Sequence, residues 1–221
     1  MATDVDAREY LQSRGVKAAP VTIVDDEVII GYYPKKLLPA LKLDIKVDLG
    51  SNTEWLADKY DRILGAAIRA TGELSRSRLE QQVPWRPQTL GELIIHILSF
   101  PELAWLSHVH GSMSTEDMRA SNERLQGIAA DADAIARYGE DVKRNVVGFL
   151  RSNDTTSLER VVPAHYGGEV TVIELLNIIL RHSTHHLNQV YWFMDEHLGI
   201  NPGSPATEQD LEGIPTPVEL I

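Results

Sequence analysis

From residue 52 onward, apolar side chains recur every three or four positions in four long segments separated by turn-forming residues. Trp55, Leu56, Tyr60, Ile63, Leu64, Ala67 and Ile68 set the first segment, and the spacing predicts a helix from about 52 to 82. Val83-Pro84-Trp85-Arg86-Pro87 breaks it. Thr89 followed by Glu92 is a capping box, opening a second helix through Leu93-Ile94-Ile95-His96-Ile97-Leu98 that Pro101 is expected to kink. A third, more polar region spans roughly 114 to 151, with a break expected near Gly127 and Ile135, Val142, Val146, Val147 and Leu150 in helical register. A loop carrying Pro163, His165, Tyr166, Gly167 and Gly168 follows, and Thr171 with Glu174 repeats the capping box. The fourth helix runs to about Leu198, where Gly199, Pro202, Gly203 and Pro205 end it.

Four long helices with apolar stripes and no strands between them predict a four-helix bundle over 51–198. The tail, 199–221, contains proline, yet Ile214, Val218, Leu220 and Ile221 are expected to dock. The first 43 residues read differently. A short helix from Thr3 or Asp4 to about Arg14 ends at Gly15; two β-branched runs, Pro20–Val24 and Glu27–Gly31, flank Asp25-Asp26 as a hairpin; Pro34 opens a helix from 35 to 43. A hairpin alone buries too little to stand by itself. The predicted fold is mainly α, with a small N-terminal α/β appendage (1–43) joined through a linker (44–50) to the bundle.

The chain has 221 residues, no cysteine and a net charge of -11. The acidic balance disfavours nucleic acid and anionic membrane partners. The missing cysteines exclude disulfide frameworks, thiolate metal sites and a nucleophilic thiol of the chain's own. The acidic N-terminus has no signal-peptide core, and no apolar run reads as a membrane span, so a cytoplasmic protein acting on a small molecule is expected.

Three of the eight histidines fall within Leu180-Arg181-His182-Ser183-Thr184-His185-His186-Leu187-Asn188-Gln189. On a helix His182 and His186 share a face, with Gln189 one turn on, while His185 points about 100° away. His96 lies in the most apolar part of the second helix. In a bundle, inward positions converge, so His96, His182 and His186 could meet around one ion; three imidazoles leave positions open, as a catalytic site needs. Zinc, nickel, iron and manganese all suit nitrogen ligands. The competing reading makes His96 a core residue and His182/His186 a surface pair. No His-Glu-x-x-His, Glu-x-x-His, Gly-x-x-x-x-Gly-Lys or Gly-x-Gly-x-x-Gly is present. Glu92, one turn before His96, could support that ligand besides capping its helix, Gln189 could support a ligand or touch substrate, and the loop of His165 could close over the cavity mouth.

Trp85-Arg86-Pro87, Thr89 to Ile97, Val162-Pro163, Gly167-Gly168, Thr171, Glu174-Leu175-Leu176 and His182 to Gln189, in that order, resemble the DinB family. The resemblance covers about 51–198. It implies a four-helix bundle, commonly dimeric, with a divalent metal on His96, His182 and His186. It further implies transferase or isomerase chemistry using a low-molecular-weight thiol. Leu187-Asn188 stands where relatives carry Arg-Gly. The N-terminal segment, through Tyr10-Leu11, Gly15-Val16, Ala19-Pro20-Val21, Ile23-Val24 and Val28–Gly31, resembles the C-terminal half of a glutaredoxin without its Cys-x-x-Cys. That likeness implies a thiol-binding backbone at Pro20 and Val21; a dimerisation element is the other reading. The expected function is therefore a metal-dependent transferase that activates a thiol toward an electrophile. The alternatives are a hydrolase using metal-bound water and a non-catalytic binding or dimerisation protein.

Overall fold

The helical periodicity is realised throughout the computed structural model, which describes residues 5–15, 21–30, 34–44, 52–165 and 168–217. Two units divide the chain: Met1–Val47 with His165–Gly168, and Asp48–Ala164 with Glu169–Ile221.

In the first unit, helix α1 (Val5–Ser13) ends at Gly15, whose φ of 70° suits a residue without a Cβ. Strands β1 (Val21–Val24) and β2 (Glu27–Ile30) form the expected antiparallel hairpin, with Val21 opposite Ile30 and Val24 opposite Glu27. Asp25 takes a φ of 53° in the two-residue turn, a conformation Asp tolerates. Helix α2 (Pro34–Ala40) follows, and Ile29 and Leu37 are buried. Pro20 lies outside the described residues.

The second unit is built on four long helices. The first, α3 (Thr53–Gly72), stops short of the predicted end at 82. The Glu73 and Leu74 N–H groups turn back onto the Ala70 and Thr71 carbonyls, and a separate turn, α4 (Arg76–Leu79), buries Leu79. Leu79 continues the apolar period of α3 beyond its end, and no proline interrupts the chain before Pro84. Helix α5 (Leu90–His110) opens on the Thr89/Glu92 capping box and runs through Pro101 to Gly111, whose φ is 83°. The predicted third region is three pieces: α6 (Thr115–Leu125), a 3₁₀ turn (Gln126–Ile128) and α7 (Ala132–Arg151), the last capped by Asp131. After α8 (Thr155–Leu158), strands β3 (Val161–Ala164) and β4 (Gly168–Thr171) make a two-stranded sheet where a loop was expected. Val162, Ala164 and Val170 are buried from it, an alternation too short to stand out beside Pro163 and the glycines. Helix α9 (Val172–Glu196) opens on the Thr171/Glu174 capping box.

Helix α3 packs mainly on α7 and α5 mainly on α9, with α5–α7 and α3–α9 closing the bundle. Gly139 of α7 allows the close approach, since a Cβ there would lie 2.8 Å from Ile68 Cγ1. Helix α5 has the length and composition of a membrane span, contrary to the sequence reading, but most of it is buried within the bundle. A proline at 101 supplies no N–H for the Ile97 carbonyl one turn back. Ser183 of α9 fills the gap, its hydroxyl donating to Ile97 O at 2.9 Å. The chain after α9 returns to α3 through α10 (Glu208–Leu211): the buried Lys59 ammonium donates to the carbonyls of Gln209 and Asp210, at 2.8 and 3.0 Å. Ile214 is buried as expected, whereas Val218, Leu220 and Ile221 lie outside the described residues.

Candidate metal centre

The Ser183–Ile97 bond joins α5 and α9 immediately beside the residues that carry the chemistry. His96 is the neighbour of Ile97, and His182 the neighbour of Ser183. Helical spacing then brings His186 onto the face of His182. His182 Nε2 lies 3.3 Å from His96 Nε2 and 3.2 Å from His186 Nε2. The three ligand atoms all fall within 4.8 Å of one another, and His96 and His186 are buried. Two nitrogens each about 2.05 Å from one tetrahedral ion stand about 3.3 Å apart. The two close spacings therefore fit a shared ion.

The fit extends to the direction of a lone pair. His186 Nδ1 lies 2.6 Å from Gln189 Oε1, and an amide oxygen only accepts. The proton therefore sits on Nδ1, and the Nε2 lone pair faces His182. Gln189 is oriented in turn by its amide nitrogen, which donates to His185 Nε2 at 3.3 Å. His185 thus stays off the triad and contributes through Gln189. Burial, above all, pushes the His186 imidazole down to about 4, with the Gln189 bond opposing and Arg86 and His185 adding to it. A neutral ring is what a metal requires. Phe100, one turn beyond His96, stacks on His182 with ring centroids 4.6 Å apart and an interplanar angle of 20°.

Sequence reasoning missed Arg86. Its Nη1 lies 3.2 Å from His186 Nε2. The side chain is half-buried, and burial lowers its pKa. Arg86 comes from a non-helical turn, so no periodicity points to it. In the sequence Arg86 stands between Trp85, which packs edge-on against Trp192 and Phe193, and Pro87.

The other expected residues fall elsewhere. The Glu92 carboxylate accepts from the Thr89 N–H at 2.7 Å, capping α5. Glu92 also edges a groove with Pro87, Ile95 and Leu125 that contains none of the three histidines. His165 groups with the N-terminal unit; burial lowers its pKa. Val21 is engaged in the β1–β2 hairpin.

A family model described as the DinB superfamily matches residues 59–190. The chain belongs to the DinB superfamily. The matched span contains all three histidines, Gln189 and Arg86, and begins after Met1–Val47. No curated protein and no solved structure matches the chain. DinB superfamily members typically bind metal, and the triad of this member could hold a metal ion.

Proposed function

We propose that this DinB member is a metal-dependent transferase that activates a low-molecular-weight thiol for attack on an electrophilic small molecule. The reading rests on three imidazoles whose ligand atoms lie within 4.8 Å of one another and could hold an ion, in a chain with no cysteine. A divalent ion there (zinc, nickel, iron or manganese) would supply Lewis acidity that lowers the pKa of a bound thiol. Because the chain has no thiol, the nucleophile arrives with the cofactor. His96, His182 and His186 would hold the ion and leave positions open. Gln189 keeps the His186 proton on Nδ1, and the packing of Phe100 on His182 limits how that ring can turn. In the reaction the thiolate sulfur gives its electron pair to the electrophilic carbon. The leaving group departs with its own pair, and the thiol proton passes to solvent. The protein would act as a homodimer, and the N-terminal segment, through Pro20 and Val21, would have an affinity of its own for peptide-like thiols.

Elemental analysis of purified wild type and His182→Ala tests the site. About one ion per chain in the first and almost none in the second is expected, while negligible metal in both ends the proposal. Turnover of an electrophile panel with and without added thiol then tests the chemistry. Thiol-independent hydrolysis would replace the thiolate with bound water as nucleophile.

A further inference from the structure

Charge is distributed unevenly around the triad. The three ligand groups are imidazoles, which bring no negative charge, so they leave a divalent ion's charge uncompensated. Beside them stands Arg86, a guanidinium that stays protonated in proteins. Its Nη1 contacts His186 Nε2, and among the described residues no carboxylate pairs with it. The two acidic side chains nearest in sequence are committed elsewhere, Glu80 to Arg76 and Glu92 to the Thr89 cap. A half-buried cation without a counter-ion is costly, and the cost rises when a second positive charge binds nearby. In a chain with a net charge of -11, two unneutralised positive charges at one point call for an anion from outside.

Resting on the metal-dependent reading above, we infer that Arg86 is the anion-recognition residue of this site. It takes a carboxylate of the small molecule bound beside the triad. The planar guanidinium fork matches a carboxylate through two parallel N–H donors, which a lysine at the same place does not. Trp85, packed edge-on against Trp192 and Phe193, anchors the chain next to Arg86, and the Nη1 contact with His186 places the fork beside the triad before the ligand arrives. That carboxylate belongs either to the thiol or to the electrophile, and the chemistry is the same in both cases.

Calorimetric titration of the zinc-loaded protein tests the assignment with three probes. Mercaptoacetate carries a thiol and a carboxylate, 2-mercaptoethanol carries the thiol alone, and acetate is added to protein already saturated with 2-mercaptoethanol. Arg86→Gln is expected to weaken either mercaptoacetate or acetate about 10- to 100-fold, and to leave 2-mercaptoethanol within about 2-fold. Loss on mercaptoacetate assigns the carboxylate to the thiol; loss on acetate alone assigns it to the electrophile. Arg86→Lys is expected to recover only part of the loss. Equal affinities of wild type and Arg86→Gln for both carboxylates overturn the assignment. So does loss of zinc or of cooperative melting in Arg86→Gln, which would make Arg86 a structural residue. Wild type that binds no zinc would instead defeat the metal-dependent reading, and this assignment with it.

Discussion

The Ser183 hydroxyl donates to the Ile97 carbonyl that Pro101 leaves without an intrahelical partner. A proline placed in the apolar centre of α5 thus creates a need that a residue of α9 meets, between His96 and His182. Ser183→Ala should expose the buried carbonyl's desolvation cost and lower stability by about 1–3 kcal/mol. Pro101→Ala returns an N–H to that carbonyl. In the Pro101→Ala background the serine change should be nearly silent. A double-mutant cycle by denaturant unfolding measures the coupling; independent effects would show that the bond is incidental.

Gln189 selects the His186 tautomer through an acceptor oxygen. Gln189→Leu should keep the helical fold, because the position lies on a long, well-packed helix, and should weaken metal binding about 10- to 100-fold. Gln189→Glu keeps an acceptor and should bind metal at least as well as wild type. Competition with a chelator reads both, and circular dichroism checks the fold.

Acid should act on the metal-free protein through His186. The folded ring titrates near 4, below its ordinary 6.5, so between these values the unfolded chain binds a proton that the folded chain refuses. The contribution is complete above about pH 6.5 and falls away as pH drops to about 4. Melting temperature followed over that window should decline less in His186→Gln. Parallel curves would show that His186 does not drive the decline.

Two glycines separate close approach from idle freedom. A Cβ at Gly91 would meet the Ala129 carbonyl oxygen at 1.8 Å, whereas nothing lies within 4 Å of a Cβ at Gly148. Gly91→Ala should cost at least about 1–3 kcal/mol, by forcing the start of α5 away from the segment before α7. Gly148→Ala, on an exposed face of α7, should add about 0.4–1 kcal/mol. Thermal denaturation of the two variants should shift in opposite directions.

Much of this architecture was readable because helices advertise themselves. The Thr89/Glu92 and Thr171/Glu174 boxes mark two helix starts to the residue, and the period of three to four places His96 and the His182/His186 pair on long helices. Less was readable where structure depends on partners distant in sequence. The end of α3 at Gly72 is concealed by Leu79, which is apolar in the right register but belongs to another turn. The β3–β4 pair contributes too few residues for an alternating pattern. Ser183 reads as an ordinary helix residue until Pro101 is seen across from it, and the reach of Arg86 to His186 comes from a loop. The chemistry of each residue was visible, but its contacts depended on tertiary approach.

His96 and His182 stand 86 positions apart in the chain. An ion gripping both would be a reversible staple closing a loop of that length, and so would restrict the unfolded ensemble as well as complete a reactive centre. The working lifetime of the folded chain would then follow the supply of free metal around it, rising in replete conditions and shortening under chelation.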